Sequence, residues 1–477
     1  MPHTVAHSPR ALDKSGYLAE DTIAAIATAI GGAIGIVRVS GPDAFGSLAR
    51  IASASEVAGL SPRALMRANL TSPIDNTPID DALVVKFASP ASFTGEDSVE
   101  YHVHGGTFVA AKLMAVLEQL GIRQALPGEF SFRAVRNGKM SLSQAEATAD
   151  LIAAANEGAL TLALEKMSGT QARLIQDLAE GLRTLSTLGE VGIDFSDQDV
   201  EEVSLPVLKR RLEPLLAVLR DLYSSYDRGS RLQDGIGVAL LGLPNAGKSS
   251  FFNALLGEDR SIVSEIAGTT RDIVRERLTL RSHSATVTFR LEDTAGLRKS
   301  LDQVERMGVE RSHKAARDAD LILLMIDSTA DLGAALEEWS RLGSPIQKTV
   351  GVITKCDLAS AERLVTLRRE LKNINISLWL ETSAVTGRGI ADAATKMVEF
   401  CERWVHRQPG EVLLTRQNHL RAVQVCIQHL ERAAGTQELD LFAADVRQAL
   451  HSLSPLIGTT VADDILGRIF SEFCIGK

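Results

Sequence analysis

Residues Gly242 to Ser249 read "GLPNAGKS". They fit the spacing G-x-x-x-x-G-K-[ST], a glycine-rich loop that turns backbone N–H groups onto phosphate oxygens. The spacing alone arises by chance, so its context decides the reading. Just before it runs "IGVALLG", an apolar strand pattern, and just after it "KSSFFNALLG", with apolar residues at helical spacing. Strand, loop and helix in that order predict an α/β domain with a phosphate site. Asn245, Ala246, Gly247 and Ser250 shape the loop, Lys248 reaches the β- and γ-phosphates, and Ser249 offers its hydroxyl to Mg²⁺.

Three further pieces follow downstream in order. "DTAG" (Asp293, Thr294, Ala295, Gly296) ends the strand pattern "VTFRLE", where it can hold a Mg²⁺ water and offer the Gly296 N–H to the γ-phosphate. "TKCD" (Thr354, Lys355, Cys356, Asp357) ends "VGVI". A carboxylate at Asp357 can accept from N1–H and the amino group of guanine, a donor pair that adenine lacks, which argues for GTP over ATP. "TSA" places Ser383 and Ala384 where backbone N–H groups meet the guanine O6. Upstream, "GTT" reads as a switch in which Thr270 is the second protein ligand to Mg²⁺.

Two positions depart from the usual pattern. The common guanine motif begins with Asn, and here it begins with Thr354, which predicts the loss of one bond near guanine N7 at a cost of about 1 kcal/mol. In Ras-like switches a Gln after "DxxG" orients the attacking water; here that position is Leu297, which cannot. Another group must therefore contribute. On the residues alone, Glu305, Asp302 and Glu310 are equal candidates.

Working outward, the α/β texture of "IGVALLG", "ATVTFRLEDTAG", "DLILLMID", "KTVGVITK" and "LWLETSA" predicts a parallel sheet covered on both faces over 234–395. Residues 1–140 mix strand patterns ("IGIVRVSG", "DDALVVKFASP") with the helical "TFVAAKLMAVLEQLG", an α+β pattern. Residues 141–233 and 396–477 are helical in spacing and poor in proline. The expected architecture is multidomain: an α+β N-terminal domain and an all-α helical domain into which an α/β P-loop GTPase domain is inserted.

The chain of 477 residues is 45% apolar and 23% charged, with a formal net charge of −9. That balance argues against a dedicated nucleic-acid coat protein. "LKRRL" near Lys209 and "LRRELK" near Arg368 read as solvated helix faces. No apolar run spans a bilayer and no signal peptide is evident, so the expected compartment is the cytoplasm. The cysteines at 356, 401, 426 and 474 lack metal or disulfide spacing. "HVH" at His102–His104 offers two strand histidines, for which a structural role is the favoured reading.

Read together, "GLPNAGKSS", "SEIAGTTRD", "DTAGLRKSLDQVERMGVER", "SFTGEDSVEYHVHGG", "PGEFSFRAVRNGKMSLSQAEA" and the terminal "FCIGK" resemble the tRNA modification GTPase family MnmE, also called TrmE. The resemblance covers essentially the whole chain. It implies a homodimer formed through a folate-binding N-terminal domain. It implies partnership with the flavoprotein MnmG in a heterotetramer, contact with tRNA through that complex, and no membrane. The chemistry implied is a carboxymethylaminomethyl-type group at C5 of wobble uridine U34, from a 5-formyl- or 5,10-methylene-tetrahydrofolate donor. G domains would pair across their switches around K⁺, held by Asn245, Ser264, Ile266 and Thr269, with Glu265, Ala267 and Gly268 in the same nucleotide-binding stretch. The resemblance also favours Glu305 as the acid that positions water through a second water. It implies folate contacts at Arg38, Glu100, Lys139 and Lys477.

Cys474 would then face the modification site as nucleophile or acid/base; without the family, a lone cysteine is more often a buried small apolar residue. The chain departs from the family in "TAIGGAIG" (Thr28 to Gly35), where a "PPGRGG"-type turn is common, and in Ser141, where Asp is usual. A regulatory GTPase switch without modification chemistry is the alternative reading, for which Arg38, Glu100, Lys139 and "FCIGK" would have no use.

Overall fold

The computed structural model describes residues 21–457 except 30, 53, 155, 195–202, 258–276, 284, 292–313 and 409. The chain divides into two compact units. One comprises Met1–Ile152, Lys166–Thr187 and Ala443–Lys477; the other comprises Ala153–Glu165 and Leu188–Phe442.

The first unit is built on a six-stranded sheet of order β3-β4-β5-β2-β1-β6. Its strands are β1 (Ile23–Ile26), β2 (Ile34–Ser40), β3 (Met66–Thr71), β4 (Pro78–Phe87), β5 (Ser98–His104) and β6 (Arg123–Gln124). All neighbours are antiparallel except β1 and β6. The helix Thr107–Gln119 lays Ala110, Leu113, Val116 and Leu117 onto the sheet, where Val37, Val39, Val99 and Tyr101 complete the core. It stops short of Gly121, whose φ of +85° suits glycine at a helix end.

The helix Glu129–Arg136 carries a charged core. Arg133 and Glu129 are almost fully buried, and Arg133 donates to Glu129 (3.0 Å), Asp21 (2.5 Å) and Glu96 (3.2 Å). Arg123 also donates to Glu129 and Asp21. Burial opposes the Arg123 and Arg133 cations, and the carboxylates outweigh it, so both are held protonated. The network ties Asp21, just before β1, to β6, the 92–97 loop and this helix.

The second unit contains a sheet of order β12-β11-β10-β7-β9-β8. Its strands are β7 (Ile236–Leu241), β8 (Arg277–Arg281), β9 (Thr286–Leu291), β10 (Leu321–Asp327), β11 (Thr349–Thr354) and β12 (Trp379–Glu381). Five strands are parallel, as the apolar runs predict, but the edge strand β8 is antiparallel to β9. The all-parallel expectation missed this hairpin. Side chains of β10 alternate between two cores: Leu321, Leu323 and Met325 meet helices Lys248–Leu256 and Ile390–Val405, while Ile322, Leu324 and Ile326 meet helices Leu332–Ser340 and Ala361–Leu371. Helices on both faces explain why this strand is apolar throughout.

The predicted long helical run is broken into Leu142–Ala153, Glu157–Met167 and Thr170–Asp194. Asn156 restarts the second helix by accepting the Ala159 N–H at 2.7 Å, and Gly169 at φ +81° ends it. Helices Leu205–Ser224 and Gln417–Gly435 are neighbours; Leu208, Leu212 and Leu219 of the first and Val423, Cys426 and Leu430 of the second are buried, and Arg220 and Glu431 pair between them at 2.6 Å.

Candidate functional site

The loop 242–247 leaves the carboxyl end of β7 and enters the helix Lys248–Leu256. A Cβ on Gly242 would lie 2.5 Å from the Met325 carbonyl oxygen, so only glycine lets the loop pass this close to β10. Asn245 (φ +62°) and Gly247 (φ +80°) both take the left-handed conformation, which asparagine and glycine tolerate best. These turns direct the loop around the helix N-terminus, where the partial positive charge of the helix favours phosphate. Ser249 is half-buried in the first turn, and Asn245 is exposed at the bend. The Lys248 ammonium donates to the carbonyls of Gly242 (2.8 Å) and Leu243 (2.9 Å), and burial lowers its pKa.

Thr354 stands at the end of β11, buried beside the loop. Its hydroxyl lies 2.8 Å from the Ala246 carbonyl and 3.2 Å from that of Ile326. The residue read from sequence as a lost guanine contact is thus the strut that fixes the phosphate loop to the sheet. Sequence reasoning missed this role because the partner is 108 residues away. Lys355 (φ +54°) turns the chain and pairs with Asp327 at 2.7 Å. Burial alone would raise the Asp327 pKa; the bonds from Lys355 and Thr329 outweigh it and hold the carboxyl below its ordinary value.

β12 runs parallel to β11, with Ile353 opposite Glu381, which brings Thr382–Ala384 alongside Thr354–Asp357. The Cys356 N–H donates to the Thr382 carbonyl at 3.1 Å, and the Thr382 N–H to the Ile353 carbonyl at 2.8 Å. Burial raises the Cys356 thiol pKa, so this residue acts as packing. Asp357 is exposed and Ser383 buried. The Ser383 N–H already donates to the Arg388 carbonyl (2.9 Å), which holds the loop shape. Gly351 faces Trp379 across the pair; a Cβ there would sit 2.1 Å from the indole Cε3.

In the first unit Arg38 and Glu100 lie opposite each other on β2 and β5. Arg38 donates to Glu100 Oε1 through Nε (2.9 Å) and a terminal nitrogen (2.8 Å). Its guanidinium lies 5.4 Å from the Phe93 ring centre and 5.8 Å from that of Phe130. His102 Nε2 is 3.3 Å from Glu100 Oε2. Lys139 is exposed, donates to the Pro90 carbonyl at 2.8 Å, and lays its stem against Gly95. The 90–95 loop therefore touches both Arg38, through Phe93, and Lys139, through Pro90 and Gly95, while Glu100 is held by Arg38. Phe93 and Phe130 were missed in the sequence, and His102 was read there only as a structural strand histidine; the interleaved aromatics of "SFTGEDSVEYHVHGG" and "PGEFSF" were the available signal. His104 pairs separately with Asp80 at 2.8 Å, so each histidine of "HVH" has its own carboxylate.

Ser264, Glu265, Ile266, Ala267, Gly268, Thr269, Thr270, Asp293, Thr294, Ala295, Gly296, Glu305, Cys474 and Lys477 lie outside the described residues. Among the described residues, no helix is long and apolar enough to cross a membrane.

Residues 22–139 match the family model described as the GTP-binding protein TrmE N-terminus, and residues 142–474 match the MnmE helical domain. The chain is 38% identical over 468 residues to a tRNA modification GTPase MnmE of Neisseria gonorrhoeae, covering 96% of this chain and 99% of that one. It is 39% identical over 466 residues to the protein of that name from Dechloromonas aromatica, covering 96% and 99%. A third, from Christiangramia forsetii, is 34% identical over 476 residues, again covering 96% and 99%. With an α+β N-terminal part, a helical part and an inserted P-loop α/β domain, the chain belongs to the tRNA modification GTPase MnmE family.

Proposed function

We propose that this GTPase is K⁺-dependent and acts on wobble uridine U34. It works with a flavoprotein of the MnmG kind and a tetrahydrofolate one-carbon donor to form the carboxymethylaminomethyl-type group at C5. The observation that carries the reading is the Arg38–Glu100 pair beneath the Phe93 and Phe130 rings. A GTPase switch alone has no use for a paired cation and acid flanked by aromatic faces. A flat, polar pterin with a charged glutamyl tail does.

The roles divide as follows. The loop from Asn245 to Ser250 and Lys248 hold the phosphates, and Asp357 and Ala384 read guanine, while Ser383, its N–H bonded to the Arg388 carbonyl, shapes the loop that presents Ala384. Ser249 and Thr270 offer hydroxyls suited to Mg²⁺, a hard cation that prefers oxygen. Asn245, exposed at the loop bend, presents an amide oxygen suited to K⁺, with Ser264, Ile266 and Thr269 as the other ligands. Bound there, K⁺ supplies positive charge beside the phosphates, as an arginine finger does. Glu305 positions water where Leu297 cannot. Arg38, Glu100, Lys139 and Lys477 bind the folate, and Cys474 serves the modification chemistry. The domain limits in this reading are 1–140, 141–233, 234–395 and 396–477, with dimerisation through the first and a cytoplasmic site of action.

Replacing K⁺ by Na⁺ tests the cation site: GTP hydrolysis is expected to fall about 100-fold or more. Equal rates in the two salts contradict it. For the folate site, Arg38→Ala is expected to weaken 5-formyl-tetrahydrofolate binding at least tenfold by calorimetry while GTP hydrolysis persists. Unchanged folate affinity overturns that assignment.

A further inference from the structure

The α/β domain is joined to the helical part by an inbound and an outbound length of chain. The inbound length is the helix Tyr226–Asp234, which runs into β7. The outbound length is the end of helix Ile390–Val405 and the segment that follows it. On the helical side the two are bonded closely. The Leu414 N–H donates to Ser225 Oγ (3.0 Å), Arg228 pairs with Glu411 (2.6 Å), and a Cβ on Gly229 would sit 2.1 Å from the Leu414 carbonyl oxygen.

On the α/β side, the end of helix Ile390–Val405 packs against the core through Trp404 and Val405, and Arg231 adds a polar tie from the inbound helix to the sheet. Arg231 Nε donates to Asp320 Oδ1 at 2.8 Å, and Asp320 Oδ2 accepts the Gly237 N–H at 2.9 Å. The same guanidinium lies 5.5 Å from the Trp404 ring centre. Asp320 directly precedes β10, and Gly237 lies in β7. The far ends of those strands carry Asp327, the partner of Lys355, and the phosphate loop. Between Arg231 and the sheet, Gly235 (φ +89°) turns the chain, and a Cβ there would sit 2.9 Å from the Thr288 carbonyl oxygen.

Beside this joint is a cavity of about 510 Å³, bounded by Asn156, Thr161, Leu232, Thr286, Thr288 and Arg407. The helix Glu157–Met167 and the β8–β9 hairpin therefore face each other across open space. The clasp at Ser225–Leu414 and Arg228–Glu411, the turn at Gly235 and the adjoining cavity thus meet where the helical part joins the α/β domain.

We propose that Arg231 is the positioning residue through which the nucleotide state of the α/β domain reaches the helical part. Its bonds to Asp320 and its stacking on Trp404 hold one domain orientation. A strain carried along β7 and β10 from the nucleotide loops exchanges these contacts for another set. Two such arrangements give the site a two-state element that nucleotide can bias. The inference rests on the modification reading given above.

The test uses the full chain with its flavoprotein partner, tRNA and folate donor, in the variants Arg231→Gln, Arg231→Lys and Asp320→Asn. The GTP turnover of Arg231→Gln is expected to stay within threefold of wild type, while modified uridine formed per GTP hydrolysed falls at least tenfold. Arg231→Lys keeps the charge without the planar fork and is expected to fall between. A ratio that stays at the wild-type value in all three variants overturns the proposal. Hydrogen exchange provides an independent arm, without tRNA. The peptide containing Gly237 is expected to exchange differently with GDP and with a non-hydrolysable GTP analogue in wild type, and alike in Arg231→Gln. No difference in wild type, or the same difference in the variant, overturns the role of Arg231. If wild type forms no modified uridine, the functional reading fails, and the exchange arm still decides that role.

Discussion

Thr354→Val removes one hydroxyl from a buried position and leaves the shape almost unchanged. Thr354 is 4% exposed and its Oγ1 lies 2.8 Å from the Ala246 carbonyl oxygen, so solvent has little means to replace the bond. An abandoned buried acceptor costs about 1–3 kcal/mol. That cost falls on the loop conformation that presents N–H groups to the phosphates. If the loop occupies that conformation only part of the time, the apparent dissociation constant rises by the inverse of that fraction. A loss of about 1–2 kcal/mol corresponds to a factor of about 5–30. Titration with a fluorescent GDP analogue is therefore expected to show affinity about 5- to 30-fold weaker. Thr354→Ser, which keeps the hydroxyl, is expected to stay within about threefold. If Thr354→Val binds within twofold of wild type, the strut between sheet and loop is not what orders the phosphate site.

Three other outcomes follow from the packing and charge. Gly351→Ala places a Cβ 2.1 Å from the Trp379 ring, and the overpacking is expected to cost about 1–3 kcal/mol or more, lowering the thermal midpoint; an unchanged midpoint contradicts the contact. Arg133→Met removes the cation that Glu129 and Glu96 share and leaves Glu129 buried beside Arg123 alone; a loss of about 3–5 kcal/mol is expected in denaturant unfolding, and a loss under 1 kcal/mol refutes the network's role. The Asp327 carboxyl is held below its ordinary 3.8, so its contribution is fully present above that value and fades as pH falls through the lower folded value. Asp327→Asn should therefore flatten the stability profile below about pH 4, and an unaltered acid limb argues against the Lys355 pairing.

Legibility in the sequence followed the range of the signal. The phosphate loop and the five parallel strands were readable because glycine spacing and apolar runs are local. β8 was not, because "RLTLR" is short, half charged, and becomes a strand only by pairing with β9. β1 and β3 were missed for a related reason: "IAAI" and "MRANLT" carry little β preference of their own, and the sheet supplies the rest. At the sites, Arg38 and Glu100 came from the family resemblance, whereas their mutual bond and the flanking phenylalanines emerge only from the β2–β5 register. Thr354 stands out in the sequence as a departure from Asn, but its bond to the Ala246 carbonyl joins residues 108 apart and is legible only in the fold.

Whether GTP hydrolysis at Lys248 serves the proposed wobble-uridine chemistry is measured most directly by nucleoside mass spectrometry of tRNA from cells lacking this protein, with wild type and Lys248→Ala as complements. C5-modified wobble uridine is expected to disappear from the deleted cells, to return with wild type, and to stay absent with Lys248→Ala. Wobble uridines that are unaltered in the deleted cells contradict the proposed chemistry.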